Sequence, residues 1–262
     1  MKKNFLNDYN FDRDVKYTSQ HELCNREYDR IAEKYKKWEC KKFYCQNHDL
    51  SIPLYVPIST ECNEVEIIDF IGDVILNNDY QPETPIIIEG KVNVNLNGKK
   101  IIAPLFIESN GEVTSGSTDS YGFWVKNGEL TIDGEGEIIA QEATYSMAVW
   151  ANGGKVIIKN GKFYNNGNNS DLIYASNGST VEIYGGEFHA NKNEGASGTK
   201  NLYPALNIKD KDRENTSILV YGGRFFGFDP SNNLSEGSNT NFVAEGYKSI
   251  EVEPNVWEVV KE

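Results

Sequence analysis

Few residues in this chain have both the type and the spacing to do chemistry. The first set is Cys40-x4-Cys45-x2-His48, with Cys62 further on. Thiolates and an imidazole are what zinc takes in a tetrahedral site, but this spacing matches none of the recognised finger patterns. All four cysteines, Cys24 included, fall in the first quarter, and the expectation is half-buried thiols without a metal. Asp133, Glu135 and Glu137 form the nearest acidic cluster. They sit at a glycine turn, where carboxylates are ordinary solvated surface, and Gly134-Glu135-Gly136 lacks the aspartates of calcium-binding nonapeptide repeats. His189 has no Ser, Cys or Asp motif around it and reads as a surface residue. No catalytic residue, metal or cofactor is assigned.

The elements that must position such side chains repeat. Val94-Asn95-Leu96-Asn97-Gly98, Leu130-Thr131-Ile132-Asp133-Gly134, Val156-Ile157-Ile158-Lys159-Asn160-Gly161, Val181-Glu182-Ile183-Tyr184-Gly185-Gly186 and Ile218-Leu219-Val220-Tyr221-Gly222-Gly223 are one pattern. Each is a short apolar–x–apolar strand ending in a glycine turn. A second apolar position follows: Ile101, Ile138, Phe163, Phe188 and Phe225. From Leu96 to Val220 the steps are 36, 26, 25 and 37 residues. Strands at such a period, with no helices between them, point to a solenoid in which each repeat buries its apolar face against the next. The expected fold is all-β, a right-handed parallel β-helix with an N-terminal arm, a short α-helix and a C-terminal hairpin cap. Val156, Ile158, Val181, Ile183 and Val220 should point inward. Asn95, Thr131, Ile157, Glu182 and Leu219 should form the outward column, which holds no carboxylate pair.

Asn127-Gly128, Asn152-Gly153 and Asn177-Gly178 each precede a strand. Stacked at about 4.8 Å, these asparagines would form a hydrogen-bonded ladder. That alignment puts Trp124, Val149 and Tyr174 in one column, with Val125, Trp150 and Ala175 beside it. The large-with-small exchange in the second set suggests interior volume compensation, which leaves Trp124 and Tyr174 facing out. Exposed aromatics on a flat β face serve sugar stacking or a subunit interface, and the interface is the favoured reading.

The chain of 262 residues carries a net charge of −13, against nucleic-acid binding, which needs a basic face. Residues 1–48 are net +3 and the remainder −16, which suggests two surfaces with different partners. Met1-Lys2-Lys3 runs straight into Asn4, Asn7 and Asp8, so no secretion signal is expected, and no apolar run is long enough for membrane insertion. Synthesis and first folding in a cytoplasm follow as an expectation. Four segments are expected: 1–50 arm and helix, 51–85 connector and N-terminal cap, 86–230 solenoid, 231–262 terminal hairpin cap. Phe5, Leu6, Tyr9 and Phe11 lack any period and read as anchors that order on a partner. A capping box at Ser19-x-x-Glu22 opens a helix. Its Cys24, Tyr28, Ile31, Tyr35 and Trp38 are spaced 4, 3, 4, 3, either a short oligomer seam or a face packed on the chain's own β body.

Asn95-Leu-Asn-Gly-Lys-Lys-Ile101 resembles the opening coil of many pectate-lyase-like β-helices. Tyr221-Gly-Gly-Arg-Phe-Phe-Gly-Phe-Asp-Pro230, followed by Asn241-Phe-Val-Ala-Glu-Gly-Tyr247, is similar to a module of bacteriophage proteins from the Bacteroides gut community, crAss-like phages included. It covers about the last third of the chain. The resemblance implies a non-enzymatic virion structural protein: a head fibre, capsid decoration or tail-associated projection, assembled in the bacterial host cytoplasm. Its partners would be capsid or tail proteins, with residues 1–50 as the anchor. Projections of this kind are commonly threefold, so a homotrimer is expected with Tyr28, Ile31, Tyr35 and Trp38 at its seam. The alternatives are a tailspike-like polysaccharide depolymerase and an adhesin binding host surface glycan. The Gly-His-Gly and Arg-x-Lys motifs of the pectate-lyase-like hydrolases are both missing.

Overall fold

The computed structural model describes residues 41–43, 54–56, 65–66, 70–107, 117–166, 169–189 and 205–262. The anchor residues Phe5, Leu6, Tyr9 and Phe11, the helix with Tyr28, Ile31, Tyr35 and Trp38, and Cys24, Cys40, Cys45, His48 and Cys62 lie outside them. The chain divides into two compact units, Met1–Asp69 and Phe70–Glu262. In the first, strands β1 (Lys41–Phe43), β2 (Leu54–Val56) and β3 (Val65–Glu66) form a small sheet in the order β2-β1-β3.

The second unit opens with β4 (Gly72–Ile75) and β5 (Ile86–Ile88). It continues with β6 (Lys91–Asn95), β7 (Lys99–Ile102), β8 (Phe106–Ile107) and β9 (Thr118–Lys126). Then come β10 (Glu129–Asp133), β11 (Gly136–Ala140), β12 (Tyr145–Asn152), β13 (Lys155–Ile158) and β14 (Lys162–Asn165). After β15 (Asn169–Ser176), β16 (Thr180–Ile183) and β17 (Glu187–His189) follow β18 (Leu206–Ile208), β19 (Ser217–Val220) and β20 (Arg224–Phe226). The chain ends on β21 (Tyr247–Glu253) and β22 (Val256–Lys261).

From β9 to β20 the chain visits three sheets in a fixed order, and each pass adds one strand to each sheet. Sheet 1 runs β4-β6-β10-β13-β16-β19, sheet 2 β7-β11-β14-β17-β20-β22-β21, and sheet 3 β5-β9-β12-β15-β18. The strands in these orders of sheets 1 and 3 pair in parallel, with β8 set antiparallel against β9; sheet 2 turns antiparallel only at its terminal hairpin, β22 on β20 and β21 on β22. Among the described residues the architecture is all-β, and the sole helical element is a single 3-10 turn at Asp210–Asp212.

Inward columns follow from alternation, because successive strand residues face opposite sides. Val92, Val94, Leu130, Ile132, Val156, Ile158, Val181, Ile183, Ile218 and Val220 are all buried from sheet 1. Sheet 2 adds Ile101, Ile138, Phe163, Phe188 and Phe225, aligned strand by strand. Phe163 stacks on Phe188 at 4.9 Å and 3°, and Phe188 on Phe225 at 4.7 Å and 12°. These agree with the expected core.

Three expectations about register need correction. Ile132 stands opposite Val94, not Leu96, so Asn93 replaces Asn95 beside Thr131, Ile157, Glu182 and Leu219. A slip of two keeps every side chain on its face, which is why the buried set survived it. The ladder also begins with β4, already paired in parallel to β6, one strand earlier than the boundary expected at 85/86.

The asparagine column is the third. Lys126, Asn152 and Ser176 align, so the next position along holds Asn127, Gly153 and Asn177. All three adopt left-handed φ, 57°, 81° and 53°. A Cβ on Gly153 would stand 2.5 Å from Asn127 Oδ1, so the middle corner takes glycine. Asn152 lies one residue earlier, where its Oδ1 accepts from Asn177 Nδ2 and, at 3.2 Å, from Ser176 Oγ. Equal spacing of the Asn-Gly pairs conceals a third corner longer by one residue, Ser179.

Candidate functional site

The outer face of sheet 3 carries a cluster of chemically capable side chains. In β9 both Tyr121 and Trp124 lie in one cluster with Met147 and Trp150, three residues apart, which a straight strand forbids. The strand bends between them: a Cβ on Gly122 would meet Ile138 Cγ2 at 3.1 Å, and the next residue, Phe123, packs edge-on against Phe70. Two consecutive residues thus face the core, and their flanking aromatics both face out. Phe106 from β8, Tyr145 and Tyr174 pack around the cluster.

Trp124, Trp150 and Tyr174 share one column. Trp150 was expected inside; it stands on the outer face because Trp124 aligns with it and not with Val149. Trp124 does face outward, but the expectation of an exposed ring is overturned. It is 5% exposed and Trp150 1%. The two indoles stack at 4.7 Å and 7°, Tyr121 meets Trp150 edge-on at 5.4 Å, and Lys126 Nζ lies 3.5 Å from the Trp124 ring centroid. Trp150 Nε1 donates to Ser176 Oγ at 2.9 Å. Tyr174 is half-buried, 6.1 Å from Trp150 and tilted.

Two carboxylates border these rings, and both escaped the sequence reading. Asp119 is fully buried; its Oδ2 accepts from Tyr121 OH at 2.5 Å and its Oδ1 from Ser117 Oγ at 2.7 Å. Asp171 accepts from Asn207 Nδ2 at 3.1 Å. Part of the Asp171 residue is open to water, yet loss of hydration around the carboxyl pushes its pKa up to about 7; Asn207 opposes this and the Glu236 charge adds to it. Burial, then Asp171 and the acids Asp212, Asp210 and Glu236, also raise the Tyr174 phenol. An acid that titrates near neutrality beside a second carboxylate is the raw material of a glycosidase. The register works against it: Asp119 aligns with Tyr145 and Asp171 with Met147, two strands apart and offset by two residues. Strand spacings place their Cα atoms about 12 Å apart, with β12 between them. Asp119 is also committed to two hydroxyls. Among the described residues no group of three His, Cys, Asp or Glu could hold a metal ion.

Sheet 2 presents a different outer surface. Lys100, Glu137, Lys162, Glu187, Arg224 and Glu258 face one another across six neighbouring strands, alternating in sign throughout. Lys100 and Glu137 pair at 2.9 Å and Lys162 and Glu187 at 3.3 Å. The hydrogen bond and charge of Glu137 hold the Lys100 ammonium above the usual lysine range. Exposed pairs of this kind contribute little to stability by themselves, because water and salt screen them. Their larger effect is on register, because like charges directly opposite one another destabilise a sheet. In the next outer column Tyr164 stacks on His189 at 4.5 Å and His189 on Phe226 at 4.1 Å. His189 therefore serves as one ring of a stack, and desolvation lowers its pKa. Asp133 and Glu135 are exposed as expected, while Glu137 belongs to the charged column.

No protein-family model matches this chain, and neither a curated protein nor a solved structure does.

Proposed function

We propose that this chain is a non-enzymatic structural protein of a tailed bacteriophage particle, a head fibre, decoration or tail-associated projection. In this reading the 70–262 unit is a right-handed parallel β-helix and residues 1–50 dock it on capsid or tail proteins, with three copies associating as a homotrimer. One observation carries the choice against a glycan binder or depolymerase. Along the stack, rings spend their faces on one another: Trp124 on Trp150, Tyr164 on His189, and Tyr184 on Tyr221 at 4.8 Å and 8°. A sugar stacks on a ring face, and these columns offer mainly edges. The charges of sheet 2 are likewise satisfied between strands. Such a surface suits rigidity better than recognition.

The apolar residues Phe5, Leu6, Tyr9 and Phe11 in a net-positive segment support the anchoring role. The test is to purify particles carrying the full chain or a version lacking residues 1–48. The full chain should be present at a fixed copy number, and the truncated chain should be folded in lysate but missing from particles. A truncated chain incorporated at normal copy number would place the attachment elsewhere. Absence of the full chain from particles would overturn the virion reading, and a monomeric mass in solution would overturn the trimer.

A further inference from the structure

Five Asn-Gly pairs have both residues described, and their glycine N–H groups are used differently. Gly98 N donates to Glu135 O at 2.5 Å, Gly153 N to Ser176 O at 3.1 Å, and Gly178 N to Thr216 Oγ1 at 3.0 Å. Each of these nitrogens is tied to another part of the chain. Gly128 is buried, with carbonyl oxygens of Gly90 and Ile88 2.7 and 2.8 Å from where a Cβ would stand. Gly161 is unlike all four. Its N–H points at the side chain of its own predecessor, 2.9 Å from Asn160 Oδ1. Asn160 is exposed. Three of the other side-chain amides are engaged where they sit: Asn97 Nδ2 donates to Leu76 O at 2.9 Å, and Asn177 and Asn152 bond to each other.

We propose that Asn160 is a site of spontaneous modification, deamidating through attack of the Gly161 amide nitrogen on the Asn160 side-chain amide carbon. The contact holds the nucleophilic nitrogen 2.9 Å from the side-chain oxygen, one bond from the carbon it attacks, and it polarises the carbonyl. Gly161 loses its amide proton to solvent base, the N–Cγ bond forms, the Cγ–Nδ2 bond breaks, and ammonia leaves. Water then opens the succinimide at either carbonyl, giving aspartate or isoaspartate. No oxidant or cofactor is required. Asp133 shows the same contact, with Gly134 N 2.7 Å from its Oδ1, but an ionised carboxylate is a poor electrophile and reacts more slowly.

The position gives the reaction a consequence. Asn160-Gly161 forms the corner between β13 and β14, and Gly161 O accepts from Glu187 N at 2.8 Å in the following pass. Isoaspartate lengthens the backbone at that corner by one methylene and adds a negative charge, so ageing loosens contact between two passes of the chain.

The experiment incubates the full-length protein in mildly alkaline buffer at body temperature, with peptide mass spectrometry and an isoaspartate assay over time. Asn160 should convert at least about tenfold faster than Asn97, Asn127, Asn152 and Asn177. Asn160→Gln should remove the fast phase of ammonia release while leaving the circular dichroism unchanged. In concentrated urea the five sites should converge. Similar rates in the folded protein, or another asparagine reacting first, would overturn the assignment. An unchanged lead for Asn160 in urea would also overturn it, by tracing the rate to local sequence.

Discussion

Replacing Asp171 with asparagine separates the cost of a buried charge from the rest of the outer cluster on sheet 3. The Asn207 amide that donates to Asp171 at 3.1 Å can donate equally to an asparagine oxygen, so the substitution removes the ionisable proton and little else. Burial raises the carboxyl from its ordinary 3.8 to about 7. Below 3.8 it is protonated in both the folded and the unfolded chain, and there is no penalty. As pH rises from there, the unfolded chain releases the proton and the folded chain keeps it, so stability falls until both are ionised above about 7. The full gap corresponds to about 4 kcal/mol. Asp171 is partly open to water and its surroundings relax around the charge, so about 1–2 kcal/mol is expected. Urea unfolding of both proteins at about pH 4, 6 and 8 reads it directly, because other titrating groups cancel in the difference. Asp171→Asn should match the parent near pH 4 and exceed it by about 1–2 kcal/mol near pH 8. A difference that does not change with pH, or a parent more stable than the variant at pH 8, would falsify the reasoning.

Two further outcomes test the stack itself. Ile183, wholly buried in sheet 1, should cost about 2–5 kcal/mol on truncation to alanine, measured by chemical denaturation; a near-neutral result would put it outside the core. Lys162→Glu sets three like charges in a row with Glu137 and Glu187 and should cost up to about 1 kcal/mol. Adding Glu187→Lys should give back less than half of that, because the new lysine faces Arg224; full recovery would mean that the Lys162–Glu187 pair acts alone and the column does not.

The amino-acid sequence by itself determined the inward columns of sheets 1 and 2. Val156, Ile158, Val181 and Ile183 alternate within their own strands, and Phe163, Phe188 and Phe225 follow a glycine turn at a nearly constant offset. Both signals are local, and they tolerate the two-residue slip at Val94 because alternation has a period of two. Sheet 3 was not legible in the same way. Its corners run from Lys126 to Glu129, from Asn152 to Lys155 and from Ser176 to Thr180, so the last holds one residue more. Aligning by Asn-Gly therefore shifted Trp150 by one position and moved it to the wrong face. The bend at Gly122 and Phe123, which puts Tyr121 and Trp124 on one side, breaks the alternation outright. The six alternating charges of sheet 2 and the Asp171–Asn207 contact join residues 25 to 37 positions apart. Only the tertiary structure decides such pairs, because strand register depends on corner lengths and packing that no single strand encodes.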